Sequence, residues 1–335
     1  MESPANPLPE IPQMEIIGEI EYSLFRLGAF RAALELELWK KIASGEDTVE
    51  KIVAREGWDP AGVRNLLDAI CALKLLTKVE DRYALVPEAA FYLIPGKSWF
   101  KGNMLLYEYH WDGDGQLAEI IRSGMRPIGD DATSPNLVPL WIADYSRRWA
   151  CPQSYFEMEL RLWQSLEIQA SDGLRVLDIA CGPSPRSMEL ARQHSGVRLT
   201  WVDWDRVLQT ALQVAHHLEI AEQITLVPGD LWSADFGAGL YNVAYLGDVT
   251  HFFSPEENTR LFRKVHTALV PSGVIVVNSV ARREIEAEVW DGLWLYAATA
   301  SGGLYDFGGY KAMLESAGFA NVQDINQGPI RAVKL

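Results

Sequence analysis

The 335-residue sequence lacks any apolar run that reaches the roughly 18 residues needed for a membrane-spanning helix. Its first residues, MESPANPLPEIPQ, also lack the order of a signal peptide, in which a positively charged segment precedes an apolar one. We therefore expect a cytoplasmic protein that has no membrane partner.

Cysteine is scarce as well. The three cysteines, Cys71, Cys151 and Cys181, are far apart in the sequence, and none belongs to a C-x-x-C motif. A disulfide framework or a structural zinc site requires paired or closely spaced cysteines. We therefore predict reduced thiols and no bound metal.

Positive charge is the third shortage. The 30 Lys and Arg residues are outnumbered by 45 Asp and Glu residues, which gives a net charge of -15. This charge repels phosphate backbones, so the composition excludes nucleic acid as a partner. With 48% hydrophobic and 22% charged residues, the chain has the balance of a folded globular protein, and its length suits two domains.

The N-terminal part of the chain is predicted to be mainly helical. Apolar residues recur at helical spacing from about residue 15 to residue 45, which predicts one long amphipathic helix. Two shorter helices follow, separated by a turn at Trp58-Asp59-Pro60, and the segment TKVEDRYALVP predicts two strands joined by a polar turn. This order is typical of a winged-helix unit. Because the chain is acidic, we interpret residues 1–100 as a dimerisation domain, not as a DNA reader.

Residues 101–170 are rich in aromatic side chains and are predicted to form a helical connector that contributes to the substrate pocket. From about Asp172 onwards, short apolar runs alternate with helical stretches, which is the pattern of a parallel sheet with helical crossovers. We predict a doubly wound α/β domain over residues 171–335. In such a domain the ligand binds outside the carboxyl ends of the central strands.

The segment VLDIACGPSPRS lies where the first strand of this domain turns towards a helix. Ala180 and Cys181 are small and Gly182 allows a tight turn, so the backbone can approach a ligand closely. Asp178 places a carboxylate at the end of the strand. The segment is not a G-x-G-x-x-G motif, so it is poorly suited to the pyrophosphate of a dinucleotide.

Two further acids are predicted at the ends of the next two strands. Asp203, in WVDWD, lies 25 residues after the first acid and can accept hydrogen bonds from ribose hydroxyls, whereas Asp205 is predicted to cap the following helix. Asp230, in PGDLW, can accept a hydrogen bond from an adenine amino group, with Leu231 or Trp232 packing on the ring. These acids predict a nucleoside site, and they suit the positive charge of S-adenosylmethionine.

The segments VLDIACG, VDWDRVL, VPGDLW and THFFSPEENTRLFRKVHTAL resemble those of the small-molecule O-methyltransferases, a family that includes plant caffeate-type enzymes and bacterial natural-product methyltransferases. The resemblance covers nearly the whole chain. It implies an N-terminal, mainly α-helical winged-helix dimerisation domain and a Rossmann-like class I methyltransferase domain with a mostly parallel seven-stranded sheet. It also implies a homodimer and the cofactor S-adenosyl-L-methionine, which leaves as S-adenosyl-L-homocysteine.

By this resemblance, Asp203 matches the ribose-binding acid, and Asp230 with Leu231 matches the pair beside adenine. His251 falls where many members keep a catalytic histidine, which removes the proton from a substrate hydroxyl. The full predicted cofactor site comprises Asp178, Ala180, Cys181, Gly182, Asp203, Trp204, Asp230, Leu231 and Asp248. The substrate pocket is predicted from side chains on the covering helices: Tyr107, His110, Trp111, Tyr155, Phe156, Met158, Trp290 and Trp294.

Two departures from the family pattern bear on the chemistry. The loop after the first strand keeps only Gly182 where the family has three or four glycines. Asn278 stands where an acid often orients the catalytic histidine, and an amide cannot stabilise an imidazolium as a carboxylate does. We predict Asn278 as the orienting residue. Two interpretations of His251 stay open: a general base, and a loop histidine or donor that orients the substrate.

The leading functional prediction is methyl transfer to a hydroxyl of an aromatic or polyketide-like small molecule in secondary metabolism. Transfer to carbon or nitrogen is an alternative, because activated carbons and amines need little help from a base. A second alternative is a protein that binds the cofactor but catalyses decarboxylation or cyclisation. A third is a winged-helix regulator that senses a ligand.

Overall fold

The computed structural model describes residues 15–95, 100, 121–123, 152–279, 292–293, 295–296 and 299–335. The chain divides into two compact units, Met1–Tyr109 and His110–Leu335. Among the described residues, no helix is both long enough and apolar enough to cross a membrane.

The first unit combines short helices with one β-hairpin. Its elements are α1 (Glu15–Glu35), α2 (Leu38–Ala43), α3 (Val49–Glu56), α4 (Pro60–Ala72), β1 (Leu76–Val79), β2 (Arg82–Leu85) and α5 (Pro87–Tyr92). The two strands pair in antiparallel fashion, as predicted for the TKVEDRYALVP segment. Trp39, Ile52, Leu67 and Ile70 are fully buried in the core of this unit.

The predicted single helix over residues 15–45 is wrong in one respect, because the chain forms two helices there. Glu37 adopts a left-handed backbone conformation with φ of 50° between α1 and α2, and an L-residue cannot continue a right-handed helix in that conformation. The next two helices begin at side-chain caps. Thr48 accepts a hydrogen bond from the Lys51 amide, and Asp59 accepts one from the Gly62 amide.

The second unit is built on a seven-stranded sheet. Its strands are β3 (Arg175–Ile179), β4 (Arg198–Asp203), β5 (Ile224–Pro228), β6 (Tyr241–Gly247), β7 (Leu269–Asn278), β8 (Phe319–Asp324) and β9 (Ile330–Lys334). The order across the sheet is β5-β4-β3-β6-β7-β9-β8. Strands β3 to β7 are parallel, and β9 runs antiparallel to β7 and β8. The predicted α/β class with a mostly parallel sheet is confirmed.

Helices cover both faces of this sheet. They are α6 (Pro152–Ser165), α7 (Met188–Gln193), α8 (Asp205–His217), α9 (Pro255–Ala268) and α10 (Phe307–Ser316). Successive side chains of a strand point to opposite faces. In β3, Leu177 therefore packs in the layer that holds Phe262 of α9, whereas Val176 packs in the layer that holds Trp163 of α6.

Two predicted helix starts in this unit need correction. The helix after β3, predicted from Ser184, begins only at Met188, because the intervening residues form a loop that is tied back to the strand. Asp205 is not the cap of α8 but its first residue, and Trp204 occupies the cap position. The α9 helix begins with a capping box, in which Ser254 and Glu257 each accept a hydrogen bond from the other's backbone amide.

Candidate functional site

The carboxyl ends of the five parallel strands meet at one edge of the sheet, where doubly wound folds bind their ligands. Each strand end contributes a polar side chain within two residues of its last residue. These are Asp178 at β3, Asp203 at β4, Asp230 at β5, Asp248 at β6 and Asn278 at β7. Four carboxylates and one amide thus surround the predicted cofactor site.

The loop after β3 has a backbone shaped for close approach. Ala180 and Gly182 have positive φ angles of 51° and 68°. The Gly182 amide donates a hydrogen bond to Asp203 Oδ2 at 2.8 Å, which ties the loop to the end of β4. A Cβ atom placed on Gly182 would meet no atom within 4 Å, so this glycine borders open space. The loop is therefore both anchored and accessible to a ligand.

Asp203 is held by amides on both carboxylate oxygens. Besides the bond from Gly182, its Oδ1 accepts a hydrogen bond from the Trp204 amide at 2.7 Å. Burial raises the pKa of Asp203 to about 6, and the two amide bonds oppose that rise. A carboxylate oxygen has two lone pairs, so each oxygen can still accept a hydrogen bond from a ligand hydroxyl. This is the chemistry that a ribose requires.

Asp178 lies beneath the loop and is 1% exposed. Its Oδ2 accepts a hydrogen bond from the Ser187 hydroxyl at 2.5 Å, and Trp201 Nε1 donates to the same hydroxyl at 3.1 Å. Burial raises the pKa of Asp178 to about 7. These contacts connect Asp178 to the far end of the loop, so this buried side chain holds the loop from below.

Arg186, which the sequence patterns do not single out, links three elements at this edge. Its Nη1 donates to Glu159 Oε1 on α6 at 2.6 Å, and the Glu159 side chain is fully buried. Its Nη2 lies 3.7 Å from Asp248 Oδ2 after β6. Trp163 Nε1 donates to the Arg186 carbonyl at 3.0 Å, which fixes the backbone of the loop. The guanidinium therefore balances two acids that are distant in sequence.

The turn after β5, where adenine is predicted to bind, is held by a lysine from α9. Lys264 Nζ donates to the carbonyls of Leu231 and Trp232 at 2.7 and 3.1 Å. Within the turn, Asp230 Oδ1 accepts a hydrogen bond from the Trp232 amide at 2.8 Å. The Arg260 guanidinium lies 4.2 Å from the centre of the Trp232 ring and covers one of its faces. Leu231 is thus better placed than Trp232 to pack on a purine.

His251 is buried, with 6% of its surface exposed. Its Nδ1 lies 2.6 Å from the Ser279 hydroxyl oxygen, and its ring packs against Phe252 with centres 4.2 Å apart. Burial lowers the pKa of His251 to about 4, and the charge of Asp248 opposes this shift. The imidazole is therefore neutral at neutral pH.

Asn278 does not make the predicted contact with His251. Its Nδ2 instead donates to the Tyr245 hydroxyl at 2.9 Å, and the neighbouring Ser279 contacts the histidine. The physical reason is that successive residues of an extended strand point to opposite faces. Ser279 is the residue that the sequence patterns missed, and its position next to Asn278 was the available signal.

The predicted substrate pocket is described only in part. Phe156 is buried, with the Arg192 guanidinium 3.6 Å from the centre of its ring, so this side chain packs between α6 and α7. Met158 is 49% exposed. Tyr155 lies in α6, but its side chain is not described, and the other predicted pocket residues lie outside the described ranges: Tyr107, His110, Trp111, Trp290 and Trp294.

Metal-binding chemistry finds no support in the described part of the chain. No three His, Cys, Asp or Glu side chains converge there into a group that could hold a metal ion. Cys71 and Cys181 are free thiols.

Comparisons with known proteins agree on one activity class. Residues 176–273 match the family model described as a methyltransferase domain. The chain is 26% identical over 325 residues to the L-tyrosine C(3)-methyltransferase of Streptomyces lavendulae, with 90% of this chain and 86% of that protein aligned. It is 23% identical over 273 residues to the 3-hydroxy-5-methyl-1-naphthoate 3-O-methyltransferase of Streptomyces sahachiroi, with 79% and 76% aligned.

The fold is also similar to that of solved structures. The crystal structure of human N-acetylserotonin methyltransferase in complex with S-adenosylmethionine superimposes with a TM-score of 0.76 at 20% identity, covering 97% of this chain and 99% of that one. The likeness spans both units of the chain, although at this identity it speaks for the fold alone.

The pKa of Asp178 leads to a prediction about stability. Because its folded-state pKa of about 7 lies above the ordinary value of 3.8, ionisation of this side chain destabilises the fold increasingly as the pH rises from about 4 to about 7. Asp178→Asn keeps an oxygen that accepts the Ser187 hydrogen bond and removes the charge. Its melting temperature relative to wild type should therefore rise between pH 5 and pH 8 by several degrees, since each kcal/mol corresponds to about 2–4 °C in a unit of this size.

Differential scanning calorimetry at both pH values measures this difference. Asp205→Asn, at an exposed acid, is the matched control and should give the same difference at both pH values. The prediction is contradicted if the melting temperature of Asp178→Asn relative to wild type stays constant or falls as the pH rises.

Proposed function

We propose that this chain, which belongs to the S-adenosylmethionine-dependent small-molecule methyltransferases, methylates a hydroxyl oxygen of an aromatic or polyketide-like compound. The observation that carries the proposal is the placement of two features at one sheet edge. The first is the Gly182 loop bonded to Asp203, and the second is the buried neutral His251. The name of the relative from Streptomyces sahachiroi supports an oxygen acceptor on an aromatic acid.

The residues at the strand ends fit this cofactor. Asp203 keeps lone pairs for the ribose hydroxyls, and the open side of Gly182 lets the cofactor approach the backbone. Asp230 and Leu231 would hold the adenine, in a turn that Lys264 keeps fixed. When bound, S-adenosylmethionine supplies a methyl group made electrophilic by its sulfonium charge. Acidic side chains around the site favour that positive charge.

His251 would act on the acceptor. Its Nδ1 is occupied by Ser279, and among the described residues Nε2 has no hydrogen-bond partner. We assign Nε2 to the acceptor hydroxyl, which it orients for attack on the methyl group. Orientation of the acceptor oxygen for in-line attack is itself a large part of the rate enhancement in group transfer.

Methylation of a ring carbon beside a phenolic hydroxyl is the second candidate. The relative from Streptomyces lavendulae is named for transfer to a ring carbon of tyrosine, and it aligns with more of this chain than the naphthoate enzyme does. Loss of the phenolic proton makes both the oxygen and the adjacent carbon nucleophilic, so one site chemistry serves either outcome.

The cofactor assignment predicts a specific loss of binding in Gly182→Ala. The new Cβ would point into open space in the protein alone but would occupy the volume that the cofactor needs. We expect the affinity for S-adenosylhomocysteine to fall at least about tenfold, which corresponds to about 1.4 kcal/mol, as measured by isothermal titration calorimetry.

Gly173→Ala is the matched control for this change. Gly173 also has a positive φ, of 77°, and also borders open space, but it lies in the turn before β3, at the opposite end of that strand. Both variants should lose similar stability because both place alanine at a positive φ. Equal affinity of Gly182→Ala and Gly173→Ala for S-adenosylhomocysteine would contradict the assignment of the cofactor site to the Gly182 loop.

The acceptor atom is identified by product analysis. Incubation with cofactor carrying a ¹³C-labelled methyl group and a panel of hydroxynaphthoates, hydroxyquinones and L-tyrosine should give labelled methoxy products, which carbon NMR distinguishes from methyl groups on ring carbons. Labelled ring methyl groups would favour the second candidate. Tight binding of S-adenosylhomocysteine without any labelled product would count against methyl transfer to this class of compound.

We further propose a homodimer that forms through the dimerisation domain of residues 1–100. Helix α1 exposes large apolar side chains, with Ile20 64%, Tyr22 62% and Phe25 69% exposed. Large apolar side chains exposed to this extent on one helix are more typical of an interface than of a solvated surface. We place the enzyme in the cytoplasm, where thiols such as Cys71 and Cys181 stay reduced.

The dimer proposal predicts that Phe25→Glu shifts the protein towards a monomer. A charge placed within an apolar interface is desolvated without a partner, which weakens association strongly. Size-exclusion chromatography with light scattering should show a dimer for wild type and a lower mass for the variant. Glu19→Gln, at an exposed position of the same helix, should leave the mass unchanged. A wild-type protein that is monomeric at micromolar concentration would refute the proposal.

A further inference from the structure

Building on the proposed methyl transfer, we infer that Ser279 is a positioning residue that holds the buried imidazole of His251 through Nδ1, and that the acceptor is an acidic hydroxyl conjugated to a carbonyl. A phenol ortho to a ketone and a hydroxyquinone are examples of this class. The inference starts from the surroundings of the imidazole, where a row of hydroxyl groups takes the place in which a carboxylate usually supports a catalytic histidine.

The row of hydroxyls begins at the end of β7. The Ser279 oxygen lies 2.6 Å from His251 Nδ1, and the Ser279 hydroxyl also lowers the pKa of the neighbouring Tyr310 phenol of α10. Tyr310 in turn lies 2.8 Å, oxygen to oxygen, from Thr250. All four side chains are buried. The groups that lie behind Nδ1 in the core are therefore uncharged hydroxyls.

The backbone that carries His251 is fixed from two other directions. Asn258 of α9 donates from Nδ2 to the carbonyls of Thr250 and Phe253 at 2.8 and 3.1 Å. The Gly303 amide donates to the His251 carbonyl at 2.9 Å. The imidazole thus has a single position, and Ser279 is its one hydrogen-bonding side chain among the described residues.

The charges that face the imidazole are few. Within the described part of the chain, Asp248 is the charged side chain that acts on the imidazole. The Arg186 guanidinium offsets that acid, because its Nη2 lies 3.7 Å from Asp248 Oδ2. Helix α10 contributes the neutral phenol of Tyr310, α9 contributes the amide of Asn258, and residues 299–303 bring no ionisable side chain. Burial consequently dominates and lowers the pKa of His251 to about 4.

A weak base limits the acceptors that the site can use. An ordinary phenol ionises near pH 10. The equilibrium for transfer of its proton to this imidazole is therefore unfavourable by a factor of about one million. A hydroxyl that is conjugated to a carbonyl ionises much closer to neutral pH and reaches the site as an oxyanion, its proton already lost to water. Its oxygen then forms the bond to the methyl carbon while the carbon–sulfur bond breaks and its electron pair stays on sulfur.

For such an acceptor, the role of His251 is to orient the acceptor oxygen. The Ser279 hydroxyl can either donate a hydrogen bond to Nδ1 or accept one from it. Nε2 is therefore able to accept a hydrogen bond from a hydroxyl or to donate one to an oxyanion. A neutral donor holds an oxyanion in place without forming the tight ion pair that would blunt its nucleophilicity.

Nitrogen NMR of the protein with labelled histidine tests the charge state without any acceptor. In the complex with S-adenosylhomocysteine, the His251 signals, assigned through His251→Gln, should stay those of a neutral ring between about pH 5 and pH 8, where a free histidine titrates. Ser279→Ala should shift the Nδ1 signal, and Ser279→Thr should restore it. A ring that becomes charged near pH 6.5, or an Nδ1 signal indifferent to Ser279→Ala, would overturn the positioning assignment.

Kinetics with two acceptors of matched size test the substrate class. 2-Hydroxy-1,4-naphthoquinone carries an acidic hydroxyl and 2-naphthol does not. We expect kcat/KM to favour the quinone at least about tenfold, kcat to fall about tenfold in Ser279→Ala with KM for S-adenosylmethionine unchanged, and Ser279→Thr to recover most of the loss. Equal or faster methylation of 2-naphthol would overturn the acceptor assignment.

The two measurements separate the inference from the function on which it rests. If neither acceptor is methylated although S-adenosylhomocysteine binds, the proposed hydroxyl transfer and the acceptor class fail together, while the NMR titration still decides whether Ser279 positions a neutral His251. If 2-naphthol is methylated well and His251 becomes charged near neutral pH, the proposed function stands and the inference is wrong.

Discussion

The hydrogen bond from Ser187 to Asp178 is the contact on which the site depends. It joins the end of β3 to a residue nine positions further along, so the chain between them must form a loop and α7 cannot begin earlier. With the loop closed in this way, the Gly182 amide reaches Asp203 and Arg186 reaches both Glu159 and Asp248. One buried hydrogen bond therefore sets the positions of the acids on three neighbouring strands.

The burial of these acids is connected to the ligand that they select. Asp178 and Asp203 have pKa values raised to about 7 and about 6, because burial disfavours their charged forms. A cationic ligand favours the ionised forms and would lower both pKa values on binding. An anionic ligand such as a pyrophosphate would raise them further. The same carboxylates therefore favour a sulfonium cofactor, and the loop lacks the G-x-G-x-x-G motif that suits a pyrophosphate.

The architecture could be predicted from sequence because it follows from local patterns. Apolar runs separated by helical stretches specify parallel strands, and strand ends specify where Asp203, Asp230 and His251 meet. Contacts across the fold could not be predicted in this way. Arg186 and Glu159 are 27 residues apart on separate elements, and nothing in either segment signals the pair. The contact of His251 could not be predicted to the exact residue either. Asn278 and Ser279 are adjacent at a strand end and face opposite sides, so an error of one position exchanges their partners.

The surroundings of His251 bear on why relatives of this chain are named for different acceptor atoms. A buried imidazole backed by hydroxyls offers orientation and little basicity, so nucleophilicity must come from the acceptor itself. A phenolate-type anion spreads its charge over the oxygen and the adjacent ring carbon, and both atoms are then competent to attack a methyl group. Which atom lies in line with that methyl group depends on how the ring is held, not on His251. Selection between oxygen and carbon is therefore a property of the pocket walls.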